Sequence, residues 1–235
     1  MKTAGILGGF GPESTAKFQL EIVEIFRARK IKTRPPLLIW QTPVPLKIEK
    51  TLVLKSKGVS KFLPFLVKGA KRLEKGGANF IVIPCNSLHI LINELRCSVK
   101  LPILSIIEET SGALGEKRIS KIGVIGTEVL IESQLHQKCL RSHGIHPILP
   151  SKKNQDLINQ SIGAILGNNN ADWVKKILLQ TAEEFLAQDV KDILLACTDL
   201  RPFFPEFLKI KIHDTLQILA VATAKEILNG KITTS

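Results

Sequence analysis

The chain has 235 residues, 44% hydrophobic and 23% charged, enough apolar material for a sizeable core and too much for a disordered or low-complexity polymer. Four cysteines with no Cys-x-x-Cys pair exclude a disulfide framework and a cysteine-based zinc site, and they fit reduced thiols in a cytoplasm. No apolar run approaches the roughly 18–20 residues that cross a bilayer, and no charged leader precedes the first apolar strand, so neither a membrane span nor a secretory signal is expected.

The formal net charge of +12 raises the question of nucleic acid. Much of the excess lies between Lys47 and Lys75, where the only acids are Glu49 and Glu74. Val59, Phe62, Leu63, Leu66, Ala70 and Leu73 recur there at helical spacing, which places the lysines on the wet side of an amphipathic helix. The segment has no Tyr or Trp for base stacking, so nucleic acid is not the expected partner.

In chain order, Ala4–Leu7 reads as a core strand. It runs into Gly8-Gly9-Phe10-Gly11-Pro12-Glu13-Ser14-Thr15, a turn that lets backbone approach a ligand, with Pro12 suited to a first helical turn. This loop matches neither the dinucleotide fingerprint nor a P-loop. Phe18, Ile22, Ile25 and Phe26 mark the buried face of the helix that follows. Leu37–Trp40 predicts a second strand, Phe80–Ile83 a third and Leu101–Ile106 a fourth. The pattern then returns. Lys121–Ile125 is a strand entering Gly126-Thr127, and Ile145–Pro150 an edge strand. Helices are expected over 156–166 and 172–188, separated by the turn Gly167–Asn170. The strand Ile193–Leu195 follows, then the turn Arg201–Pro205, a last strand at Lys209–Ile212 and a last helix at Thr215–Leu228. Alternating strands and helices predict an α/β fold of two pseudo-symmetric domains, each a mostly parallel sheet flanked by helices, with an active site in the cleft between them. The expected division is residues 1–98 plus 209–235 and residues 99–208.

Two stretches echo each other at equivalent strand ends: Pro84-Cys85-Asn86-Ser87-Leu88-His89 and Ala196-Cys197-Thr198-Asp199-Leu200. Each puts a thiol at the carboxyl edge of a parallel sheet, where α/β folds bind ligands, and a following helix N-terminus is expected to lower its pKa. Two thiols in matching contexts suggest a pair acting on one substrate from opposite sides. Cys97 and Cys139 have no such context and read as structural. His136, His143 and His146 have no metal-ligand spacing, and Arg201 reads as a surface residue.

Together, the Gly8–Thr15 loop, Pro84–His89, Gly123-Val124-Ile125-Gly126-Thr127 and Ala196–Leu200 resemble the aspartate/glutamate racemase superfamily, and above all its aspartate racemase branch. The motifs occur in family order across nearly the whole chain. The resemblance implies inversion at Cα without pyridoxal phosphate or any other cofactor, without a metal, in a homodimer acting on a small acidic amino acid, aspartate first. It assigns Cys85 and Cys197 as the acid/base pair. Gly9, Phe10, Gly11, Lys47, Asn86, Ser87, Thr127 and Thr198 become substrate-binding positions, with His89 and Asp199 in support. Pro45-Leu46-Lys47 stands where aspartate racemases tend to carry Pro-Asp-Arg, so the charge is kept and the two-pronged grip is lost. The family's second cation would fall near Gly163, where there is none. Glutamate or another amino acid, a related dicarboxylate isomerisation, and a non-catalytic small-anion binder are the alternatives.

Overall fold

The computed structural model describes residues 1–167, 171–204 and 209–229. The expected turn residues Asn168–Asn170, Pro205 of the proline-rich turn and residues 230–235 of the expected first domain lie outside them. The first half contains β1 (Ala4–Gly8), α1 (Pro12–Ala28), β2 (Leu37–Gln41), α2 (Leu46–Lys55), α3 (Leu63–Lys75), β3 (Phe80–Val82), α4 (Ile92–Arg96), β4 (Ile103–Leu104) and α5 (Ile106–Gly115). The second contains β5 (Lys121–Ile125), α6 (Glu128–Ser133), α7 (Leu135–Ser142), β6 (His146–Ile148), α8 (Lys152–Leu166), α9 (Ala171–Ala187), β7 (Asp192–Leu195), β8 (Lys211–Asp214) and α10 (Thr215–Ile227).

Both sheets are parallel throughout, in the orders β2-β1-β3-β4 and β6-β5-β7-β8. The same plan is therefore used twice. Strand pairing departs from the expected division at both ends. β4 pairs with β3, so the first sheet extends past residue 98. β8 pairs with β7 over Asp192–Leu195 and Lys211–Asp214, so it completes the second sheet instead of returning to the first. The reason is local completeness: each half takes its fourth strand from the segment that follows its third. α10 crosses back, packing on α1 and α5.

Period-2 alternation distributes the strands between three cores. Ala4, Ile6, Phe80 and Val82 of the first sheet share one core with Ile122, Val124 and Leu194 of the second, filled by Phe18 and Ile22 of α1, Leu114 of α5 and Leu216 and Leu219 of α10. The opposite face of the first sheet, with Leu7, Ile81 and Ile83, packs on Leu66, Ala70 and Leu73 of α3. That of the second, with Ile125, Ile193 and Leu195, packs on Ile158, Ile162 and Phe185. The basic stretch is not one helix but two, α2 and α3, joined by a 3-10 turn at Val59–Phe62. On α3 the apolar stripe is buried and Lys68, Lys71 and Lys75 are exposed, as its spacing predicts. α2 instead reaches across to α6 and α8. There Ser56 Oγ donates a hydrogen bond to Glu128 Oε2 at 3.0 Å. No helix among the described residues is long and apolar enough to cross a membrane.

Candidate active site

In each sheet the strand order reverses between the first and third strands, which opens a crevice outside their carboxyl ends. At the first such point β1 runs into the glycine loop and β3 into Cys85. At the second β5 runs into Thr127 and β7 into Cys197. The two points face one cleft. Cys85, Cys197, Phe10, Asn86, Ser87, Thr127, Thr198 and Asp199 line it. Glu49 and Leu52 of α2, Phe62, Leu88, Ala196, and Ile162 and Leu166 of α8 complete its walls.

Hydrogen bonds tie the facing loops together. The hydroxyls of Ser87 and Thr127, from opposite halves, lie 2.9 Å apart. Ser14 Oγ in the first turn of α1 donates to Asp199 Oδ1, joining the glycine loop to the Cys197 loop. Asn86 is held from behind. Its Oδ1 accepts from His136 Nε2 at 2.9 Å, and its Nδ2 donates to Thr215 Oγ1 at 2.9 Å, which donates to the Leu195 carbonyl. The amide thus keeps one N–H for a ligand. His136, which has no metal-ligand spacing in the sequence, is fully buried, and burial lowers its pKa to about 3. His89 does not meet the Cys85 thiol. Its Nε2 accepts from the Ile106 amide at 3.1 Å, which fixes the Nδ1–H tautomer, and Nδ1 donates to the Cys85 carbonyl at 2.8 Å. Burial lowers its pKa to about 4, so it is neutral and orders the backbone under the thiol.

The thiols do not follow the expected lowering. Cys85 is pushed up to about 12, first by burial, with the Asp199 and Glu49 charges adding to it. The Leu88 and Ser87 amides pull the other way, as the turn N-terminus should, and are outweighed. Cys197 is raised well above the usual thiol value by burial, then by Asp199, with Cys85 also contributing. Both thiols are therefore protonated at neutral pH. Asp199 and Glu49 are themselves raised, each chiefly by burial.

Three expected binding positions lie outside the walls. Lys47 is exposed on α2, and no described lysine or arginine lines the cleft. Gly9 and Gly11 shape the loop. Gly9 has φ 92°, and a Cβ there would stand 2.5 Å from the Thr42 nitrogen. A Cβ on Gly11 would come 3.1 Å from the Asp199 carboxylate. Asp199 caps no helix: the turn after it starts from Leu200 without a side-chain cap. Sequence reasoning missed Glu49, Leu52, Phe62, Ile162 and Leu166. The only signal was Glu49, an acid isolated in a lysine run. Among the described residues no group of three His, Cys, Asp or Glu could hold a metal ion.

Duplicated α/β halves thus bring one thiol each to a single cleft. The family model for Asp/Glu/hydantoin racemases matches residues 7–223. The broad specificity amino-acid racemase RacX of Bacillus subtilis is 30% identical over 229 residues, covering 95% of this chain and 97% of the relative. A glutamate racemase of Exiguobacterium sibiricum is 26% identical over 61% of this chain and 52% of its own length. Among solved structures, the Picrophilus torridus aspartate racemase superposes with a TM-score of 0.77 at 22% identity, covering 99% of this chain and all of that one. An aspartate racemase homologue from Pyrococcus horikoshii superposes at 0.76 and 23% identity, over 96% of this chain and 100% of that one. The chain belongs to the Asp/Glu/hydantoin racemase family. It is an isomerase, an amino-acid racemase.

Proposed function

We propose that the chain inverts the Cα centre of a free amino acid by two-base proton transfer between Cys85 and Cys197, without pyridoxal phosphate. One observation carries the reading: the two cysteines leave equivalent strands of the two sheets and line one cleft. One cysteine acts as thiolate and takes the Cα proton. The C–H electron pair stays on the substrate, spread into the α-carboxylate, and the opposite thiol delivers its proton to the other face. The products are the enantiomer and a cysteine pair with exchanged protonation. The remaining Asn86 N–H and the hydroxyls of Ser87, Thr127 and Thr198 supply donors for the growing carboxylate charge. A substrate ammonium beside Asp199 offsets the carboxylate that keeps the thiols protonated, which favours a thiolate only when the cleft is filled. The described walls contain no lysine of the kind that tethers pyridoxal phosphate.

The aspartate expectation rests on the motif resemblance, and Lys47, the cation it would use for the side chain, is exposed outside the walls. The donors in the walls therefore serve the amino-acid backbone. The test is Cα–H exchange in deuterated water, followed by proton NMR and chiral chromatography over a panel of single enantiomers. Exchange with inversion is expected, reduced roughly 10²–10⁴-fold in Cys85→Ala and in Cys197→Ala. Exchange that survives both substitutions would sink the two-thiol mechanism. No exchange with any amino acid would favour a dicarboxylate substrate or a non-catalytic binder.

A further inference from the structure

We propose that the side chain of the substrate is cationic, with an aliphatic stem and a terminal ammonium or guanidinium received by Glu49. The inference rests on the racemase reading and concerns the wall of the cleft that α2 and α8 contribute. Glu49 and Leu52 lie three residues apart on α2 and so share a face. That face turns inward, and α2 packs on α8, which presents Ile162 and Leu166. With Phe62 they make apolar walls that suit methylene groups, and the wall contributed by α2 carries one carboxylate.

Charge decides the rest. Asp199 and Glu49 are the ionisable wall residues besides the thiols, and no described cation lines the cleft. Neither carboxylate has an ion-pair partner among the described residues. A zwitterionic amino acid brings one ammonium and one carboxylate, and the carboxylate is served by hydroxyls and an amide N–H. Asp199 lies beside both thiols, where the α-ammonium must sit. Glu49 stands on the α2 wall with Leu52, beside Ile162 and Leu166 of α8, where the apolar lining of the cleft is gathered, and its carboxylate is met by the Gly11 backbone amide. It is left for a second cation. An aspartate or glutamate side chain would instead add a further negative charge to half-buried carboxylates with no described cation to receive it. A neutral side chain would fill the apolar walls and leave Glu49 unpaired. Burial and Asp199 already favour its protonated form, and an arriving cation reverses that preference.

The experiment measures kcat/KM for Cα–H exchange with lysine, ornithine and arginine against aspartate, glutamate, norleucine and Nε-acetyl-lysine. Lysine or a close cationic analogue is expected to exceed the acidic amino acids by at least about tenfold, and acetylation, which keeps the stem and removes the charge, should lower the value by a similar factor. Glu49→Gln should reduce the ratio of lysine to norleucine about tenfold. A ratio unchanged by Glu49→Gln would place the carboxylate at the α-ammonium and overturn the assignment. So would aspartate, glutamate or norleucine matching lysine in the wild type, and in both cases the racemase reading would stand. Failure of every substrate to exchange would overturn the racemase reading itself. The wild-type panel decides the question even if the variant does not fold.

Discussion

Asp199 reinforces the protonated resting state that burial gives both thiols. Its charge raises Cys85 and Cys197 alike, and it is fixed by Ser14 from the opposite loop. A thiol with a raised pKa stays protonated at neutral pH, so alkylation of wild-type Cys85 should be slow there and climb only as the pH moves towards about 12. Asp199→Asn removes a neighbouring anion, and the alkylation profiles of both thiols should shift to lower pH. Iodoacetamide rates with peptide mapping would show it, and unshifted profiles would remove Asp199 from this role. The same substitution bears on stability. A carboxyl whose folded pKa is raised favours the folded state while protonated, and that advantage is lost as the pH rises through the folded value. Asp199→Asn should therefore be more stable than wild type at neutral pH, on the order of 1 kcal/mol, with the gain shrinking on acidification. Thermal melts at two pH values would check the sign. The residues flanking the cysteines were legible in the sequence because strand, thiol and small polar residue are contiguous. Glu49 was not, because its role depends on α2 crossing to α8, and no local pattern encodes that contact.

Loops at strand ends place these residues, and their glycines differ in what they tolerate. Gly9 and Gly77 both have positive φ, at 92° and 91°. A left-handed backbone costs a side chain roughly 1–2 kcal/mol on its own. At Gly77 nothing lies within 4 Å of a new Cβ, whereas at Gly9 it would meet the Thr42 backbone nitrogen and oxygen at 2.5 and 2.6 Å. Gly77→Ala should cost about 1 kcal/mol and leave exchange kinetics unaltered. Gly9→Ala should cost more than about 2 kcal/mol and impair exchange, because relief of the clash moves Phe10 in the cleft wall. Denaturant midpoints with kinetics on both variants test the contrast, and equal losses would contradict it. Elements with a clean period were readable: α1 from Phe18, Ile22 and Phe26, and α3 from its buried stripe. β8 was read close to its place in the chain but assigned to the wrong sheet. Strand partners are long-range choices, and four apolar-polar residues such as Lys211–Asp214 do not name theirs. The split of the basic stretch falls at Ser56, whose left-handed φ of 49° ends α2, and at Gly58, whose φ of 81° opens the 3-10 turn leading into α3.

The two halves hold their cleft because they share an interior. One core takes residues from both sheets and is filled by α1, α5 and α10, so neither sheet keeps its inner face covered without the other. Leu219 on α10 is fully buried in this shared core. Leu219→Ala removes apolar volume that rigid neighbours on both sides cannot wholly refill, which should cost about 2–5 kcal/mol. The loss should be felt by both halves at once. Trp40 on β2 and Trp173 on α9 report them separately, and Trp173→Phe or Trp40→Phe backgrounds leave one reporter each. Urea unfolding followed by either tryptophan is expected to move to the same lower midpoint when Leu219→Ala is added. A shift seen by one reporter alone would mean that the halves unfold separately. The cleft would then owe its alignment to loop-to-loop contacts such as Ser87–Thr127 and Ser14–Asp199, and not to the common core.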